Sequence, residues 1–159
     1  MQNRTPQTRP AYRERLSPSL WLLVTAAVAG PVASIIFLPV WPTFALVFGV
    51  VAIPLFVAAF ILLAPSISVD GSVLRSGRAH IDARFLGDPV ALTGEEARAA
   101  RGPKLPARGW HLIRGGIDGV VVVPNIDPDD PVDTWTISSR TPDRLAAAIR
   151  AARPAASGN

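Results

Sequence analysis

The chain has 159 residues, of which 49% are hydrophobic and 18% are charged, and its formal net charge at pH 7 is +4. It contains no cysteine, which excludes a disulfide framework, a thiolate metal site and a thiol nucleophile. Aromatic residues make up only 7%, and no stacking platform or recognition helix is evident, so we expect no nucleic-acid partner.

The first 15 residues are predicted to form a disordered basic arm, since they contain four arginines and one glutamate. Arginines beside an apolar segment are retained on the cytoplasmic side of a membrane, where the anionic lipids of the inner leaflet attract them. We therefore expect Arg9, Arg13 and Arg15 to contact the inner leaflet.

A long uncharged stretch follows the arm. Residues 16–69 contain no Asp, Glu, Lys, Arg or His, and the stretch is interrupted near its middle by Leu38–Thr43, which carries two prolines. A membrane-spanning helix needs about 20 predominantly apolar residues. The pattern predicts a two-helix transmembrane hairpin over residues 16–65, with helices at about 19–38 and 43–63.

The charges that flank this hairpin predict its orientation. Basic residues precede the first helix and follow the second, whereas the turn between the helices has no charge. Both termini are therefore expected in the cytoplasm, which makes the chain a multi-pass plasma-membrane protein. The alternative is a signal peptide cleaved near Gly30, although the apolar run continues through Leu38 and a second run follows it.

Residues 66–152 show the pattern of a small cytoplasmic α+β domain. Asp70-Gly71 between alternating apolar residues indicates a β-hairpin, and further strands are indicated at 80–82, 110–113, 120–123 and 134–138.

The domain is predicted to end in a helix. Thr141 is a suitable N-cap and Pro142 suits the first helical position, while Leu145 and Ile149 give the helix a narrow apolar face. Strands capped by one helix predict an α+β fold, and residues 153–159 are expected to form a disordered tail.

Several segments resemble a known family. Tyr12–Leu16 before the apolar stretch, and the acidic turn Asp127–Pro131 followed by Trp135–Pro142, are similar to an uncharacterised family of small actinobacterial two-span membrane proteins, a domain of unknown function. The strand-arginine-threonine-proline-helix ending is also similar to bacterial pleckstrin-homology-like domains. The resemblance implies a bent antiparallel sheet capped by the C-terminal helix, and it implies no activity.

No catalytic, cofactor or metal motif stands out, so we expect no enzyme, no cofactor and no bound metal. The acids of residues 125–133, with His80 or His111, partly resemble a metal site, but Pro131 replaces a useful ligand and the turn glycine of a calcium loop is missing. A solvated turn explains the acids more simply, and whether it binds a cation stays open. A membrane-bound hydrolase that uses Asp127, Asp129 and His111 is the enzymatic alternative.

Four cations are the candidate patch for an anion or a partner: Arg98, Arg101, Lys104 and Arg108. The working hypothesis is an integral membrane protein whose domain is a membrane-anchored interaction module at the inner leaflet. Its expected partners are the lipid bilayer and either anionic lipids or a membrane protein. The alternative is a small accessory subunit of an oligomeric transporter or membrane complex, and the oligomeric state is not predicted.

Overall fold

The computed structural model describes residues 11–17, 20–39 and 41–154. Contacts within the chain divide it into two compact units. One unit lies within residues 17–64, and the other is built from the described residues up to Leu16 together with those from Pro65 onward.

The unit within residues 17–64 is helical. Helix α1 spans Leu20–Phe37 and contains Pro31. Helix α2 spans Pro42–Val47, and its proline stands in the first turn, where a missing N–H costs no hydrogen bond. A π-helical segment, Phe48–Ala52, joins α2 directly to helix α3, Ile53–Leu62.

The predicted membrane hairpin is wrong. Within residues 11–17, 20–39 and 41–154, no helix has both the length and the apolar character that crossing a membrane requires. Helix α1 has 18 residues, and at about 1.5 Å per residue it is shorter than a hydrocarbon core of roughly 30 Å. The predicted second span is divided by the π-helical segment into helices of 6 and 10 residues.

The same finding overturns the interpretations that depended on the hairpin. These are the multi-pass plasma-membrane location with both termini in the cytoplasm, the membrane-anchored module at the inner leaflet, and the accessory subunit of a transporter or membrane complex.

The other unit is a small α+β domain. Its first sheet is antiparallel, in the order β1-β2-β3-β4. The strands are β1 Tyr12–Arg15, β2 Ser66–Asp70, β3 Val73–Ser76 and β4 Ala79–Asp82. Strands β2 and β3 form the hairpin that Asp70-Gly71 predicted, and Gly71 adopts the positive φ of 56° that the tight turn requires.

Strand β1 lies in the segment that we expected to be a disordered arm. Tyr12–Arg15 instead pairs antiparallel with Ser66–Val69, while Arg9 lies outside the described residues. Tyr12 and Glu14 are half-buried, whereas Arg13 and Arg15 are exposed, as expected for a strand with one face toward the protein. Among the described strands only β2 pairs with β1, so β1 is an edge strand.

The second sheet has the order β5-β7-β8-β6. Its strands are β5 Val90–Leu92, β6 Gly109–Leu112, β7 Val120–Pro124 and β8 Thr134–Ser138, and helix α4, Gly94–Ala100, follows β5. Strands β6 and β8 pair in parallel, whereas β7, which follows β6 in the chain, pairs antiparallel with β5 and β8. The single bent antiparallel sheet implied by the pleckstrin-like resemblance is therefore wrong.

The hydrophobic core belongs to the α+β domain and lies between the sheets and helix α5, Pro142–Ala152. Leu145 and Ile149, the predicted apolar face of this helix, are fully buried in the core. The other end of α5 is held by Arg150, whose guanidinium donates hydrogen bonds to Asp88 at 2.9 Å and to the carbonyl of Pro89 at 2.6 Å. The hydrogen bond from Arg150 lowers the pKa of Asp88.

Gly119 allows the loop before β7 to pass closely over the start of α5. Its carbonyl accepts the backbone N–H of Ser139 at 3.0 Å, and a Cβ at this position would lie 2.8 Å from Cγ of Pro142. Gly119→Ala is expected to lower the free energy of unfolding by about 1–3 kcal/mol, because neither the backbone nor the proline ring can move away. Denaturant unfolding measures the change.

Gly115→Ala in the same loop is the matched control, because nothing lies within 4 Å of a Cβ there. It should leave the free energy of unfolding within about 1 kcal/mol of the native value. Equal effects of the two substitutions would contradict the close packing at Gly119.

Candidate functional site

An open groove of about 670 Å³ lies between edge strand β1 and helix α5. Alanines from one face of α5 form part of its lining. The lining residues are Ala11, Tyr12, Arg13, Glu14, Arg140, Thr141, Arg144, Ala147, Ala148 and Ala151.

The free edge of β1 presents backbone groups. The N–H of Leu16 donates to the carbonyl of Pro65 at 2.9 Å, so by strand alternation the backbone groups of Tyr12 and Glu14 also face β2. Those of Arg13 and Arg15 face the other way, and the carbonyl of Arg15 indeed accepts a bond from the Arg140 guanidinium at 3.2 Å. The backbone N–H and C=O of Arg13 are thus presented at the free edge.

The Glu14 carboxylate joins β1 to the start of α5. It accepts hydrogen bonds from the Tyr12 hydroxyl at 2.5 Å, from the Ser139 hydroxyl at 2.6 Å and from the backbone N–H of Arg140 at 2.8 Å. Ser139 is fully buried, and its oxygen also accepts the backbone N–H of Thr141 at 3.1 Å. One carboxylate therefore orders the segment that leads into α5.

Thr141 stands at the start of α5 as predicted, but its side chain does not cap the helix. Its side chain makes no hydrogen bond to the first turn of α5. Its hydroxyl lies 2.9 Å from the hydroxyl of Tyr12 instead, and since Tyr12 donates its only proton to Glu14, Thr141 is the donor of that bond. The predicted N-cap residue therefore binds β1 as well as marking the helix start.

Burial raises the pKa of Tyr12 above its ordinary value of 10.0, and the hydrogen bond to the Glu14 carboxylate raises it further. Both effects favour the neutral phenol, because the phenolate would lose solvation and would be repelled by the carboxylate. The proton that links Tyr12 to Glu14 is therefore held through the physiological pH range.

The groove carries an excess of positive charge. Arg13, Arg140 and Arg144 line it, and Glu14 is the single carboxylate among the lining residues. The charge of Glu14 is already stabilised by three donors. Arg13 and Arg144 are exposed, and neither forms an ion pair with another described residue. Their charges are available to an anionic ligand.

The four cations of the predicted patch differ in whether an acidic side chain lies close to them. The guanidinium of Arg98 lies 2.6 Å from Glu95, and that of Arg108 lies 3.8 Å from Asp133. Arg101 lies 3.7 Å from Asp118 and also donates to the carbonyl of Ile117. Lys104 is exposed and lines a separate pocket. Three of the four predicted cations are thus already engaged by acidic residues.

The acidic turn uses its polar groups to hold its own backbone. Asn125 donates to Asp130 at 2.9 Å and to the carbonyl of Val132 at 2.8 Å, and Asp127 accepts the N–H of Asp129 at 3.1 Å. In the part of the chain that the structure describes, no group of three or more His, Cys, Asp or Glu residues is placed to hold a metal ion.

The sequence carried only a weak signal for this groove. In β1, half-buried Tyr12 and Glu14 alternate with exposed Arg13 and Arg15, and this alternation is typical of a strand. In the sequence, however, these four residues stand beside an apolar stretch, so they also fitted a basic arm. Their partners at 139–141 are about 125 residues away in the sequence.

Tyr12 is the only tyrosine of the chain, so phenolate absorbance reports its titration directly. The midpoint in the folded protein should lie above that in denaturant. The native state holds the Tyr12 proton more tightly than the unfolded state does, so the protonated phenol contributes to the free energy of unfolding. This contribution is complete below a pH of about 10, and it is lost as the pH rises through the pKa of Tyr12 in the folded protein.

Glu14→Gln removes a negative charge that raises the pKa of Tyr12, so the titration midpoint of Tyr12 in the folded protein should move down. It should stay above the midpoint in denaturant, because burial still raises this pKa. Asp143→Asn, at an exposed acid in the first turn of α5, is the control and should leave the midpoint in place. An unchanged midpoint in Glu14→Gln would contradict the hydrogen bond between the two side chains.

Comparison with known proteins identifies a family. A family model described as a protein of unknown function, DUF3093, matches residues 11–149. No curated protein and no solved structure matches the chain. The matched range contains β1 and most of α5, which are the two walls of the groove.

Proposed function

We propose that this chain, which belongs to the DUF3093 family of unknown function, is a protein-interaction domain that binds an extended acidic segment along strand β1. The segment would lie in the groove between β1 and α5. The observation that carries the proposal is a free strand edge bordered by Arg13 and Arg144, two exposed arginines that no described acid pairs with. The actinobacterial origin of the family stays a prediction from the sequence.

The strand edge supports the extended conformation of the ligand. An unpaired edge accepts a further strand through main-chain hydrogen bonds, a mode of peptide recognition known as β-augmentation. Arg13 offers one N–H and one C=O to such a strand, and the exposed or half-buried Ala147, Ala148 and Ala151 border the space beside it. Small side chains at this place leave volume for the side chains of the ligand.

The positive charges of the groove support an acidic ligand. Three arginines line the groove, and the one lining carboxylate already accepts three hydrogen bonds. Guanidinium groups bind carboxylates through paired, charge-assisted hydrogen bonds, which give both affinity and orientation. A basic segment would instead bring like charges together.

The hydroxyl groups near the groove support binding rather than catalysis. Ser139 is fully buried and donates to Glu14, so its oxygen is not presented to a substrate. Tyr12 donates to the same carboxylate. A nucleophile needs a base that takes its proton and access to the reacting atom, and these groups are committed to holding α5 in place.

Fluorescence anisotropy of a labelled alternating Glu–Val peptide, titrated with the full chain, tests the proposal. We expect saturable binding of this peptide and none of an alternating Lys–Val peptide. Arg144→Glu should weaken binding roughly tenfold or more, because it replaces an attractive pair by a repulsive one. Arg98→Glu, at an exposed cation of α4, is the control and should bind as the native chain does.

Two substitutions at one position separate charge from the strand edge. Arg13→Gln removes a charge but keeps the backbone N–H, whereas Arg13→Pro also removes the donor that faces the free edge. We expect Arg13→Pro to weaken binding more than Arg13→Gln, with thermal unfolding confirming that both variants are folded.

Three results would overturn the proposal: no binding of the acidic peptide, equal binding of the acidic and basic peptides, or equal binding by the native chain and Arg144→Glu. Vesicles of anionic phosphatidylserine provide the comparison with a lipid surface. Binding to vesicles that depends on Arg144, without binding of the peptide, would replace the protein ligand by a lipid one.

A further inference from the structure

A second cavity lies on the other face of the second sheet, away from the groove. It has a volume of about 550 Å³, within the range of about 300–1,000 Å³ that is typical of small-molecule pockets. Val122 of β7 and Thr136 of β8 form its base, and Val90 of β5 borders it. Residues of α4 and of the loop after it, including Glu96 and Lys104, complete the lining.

The base of this pocket contains a polar atom without a partner. Thr136 is 0% exposed, and its hydroxyl makes no hydrogen bond to any described residue. In the register of the sheet, Thr136 stands beside Val122, which stands beside Val90, so the three side chains lie in one row on one face. A buried hydroxyl without a partner is costly unless something else binds it.

The apolar part of the pocket is incompletely covered. Val90 is 49% exposed although it is a large apolar residue on a sheet, and Leu92 and Val122 are half-buried. A ligand with an apolar body would remove this surface from water.

The rim of the pocket carries one charge of each sign. Glu96 of α4 and Lys104 of the following loop are both exposed, and neither forms an ion pair with a described residue. A ligand with both an ammonium and a carboxylate group matches these two charges.

We infer that this pocket binds a free aromatic α-amino acid whose ring carries a hydrogen-bonding group. The ammonium group binds Glu96, the carboxylate binds Lys104, and the ring lies against the valines. The polar atom of the ring reaches the Thr136 hydroxyl. This site is independent of the groove and of the peptide ligand proposed for it.

Calorimetric titration of the full chain with L-tyrosine and three analogues tests the inference. L-phenylalanine lacks the ring hydroxyl, tyramine lacks the carboxylate, and 3-(4-hydroxyphenyl)propionate lacks the ammonium group. We expect L-tyrosine to bind about tenfold more tightly than each analogue, because each loses one charged or hydrogen-bonded contact.

Three substitutions assign the contacts. Thr136→Val should bind tyrosine and phenylalanine equally, Lys104→Gln should bind tyrosine and tyramine equally, and Glu96→Gln should bind tyrosine and the propionate equally. Thr136→Val should unfold at the same or a higher temperature than the native chain, because it removes the unpaired hydroxyl without changing the shape of the side chain. Arg98→Gln, on the same helix but outside the pocket lining, should bind all four ligands as the native chain does.

The absence of binding by tyrosine would overturn the inference. An unchanged order of affinities for the four ligands in both Lys104→Gln and Glu96→Gln would also overturn it. These two rim substitutions test the site even if Thr136→Val fails to fold.

Discussion

The hydrogen bonds to the Glu14 carboxylate are the interaction on which the arrangement of the α+β domain depends. A half-buried carboxylate needs several donors, and Glu14 obtains them from its own strand and from the residues just before α5. The chain after β8 is thereby held against β1, and α5 begins beside the edge of the first sheet. This anchor places the strand beside the start of the helix, and the two form the walls of the groove.

Two further contacts act with this anchor. The absence of a side chain at Gly119 allows the loop before β7 to pack on Pro142, while Arg150 fixes the far end of α5 to the segment before β5. The apolar face of the helix is then buried on the core side of the sheets. Because side chains alternate along β7 and β8, the face that carries Val122 and Thr136 is turned away from this core. The groove and the second pocket can therefore act independently.

The sequence predicted those features that depend on neighbouring residues. The turn at Asp70-Gly71, the helix that begins at Pro142 and the membership of a family of unknown function are confirmed. It did not predict the groove, because Tyr12 and Glu14 meet Ser139 only through the fold. The membrane hairpin was wrong because apolar composition does not show where a helical segment is interrupted, as it is at Phe48–Ala52.

Amide hydrogen exchange at Arg13 would show whether an acidic segment adds to the free edge of β1. In the free chain the N–H of Arg13 faces the open edge, so its exchange should be fast. If an acidic peptide pairs with this edge, saturation of the chain with peptide should slow the exchange of this amide, because it becomes a main-chain donor. Peptide binding that leaves the exchange of the Arg13 amide unchanged would show that the peptide does not pair with β1.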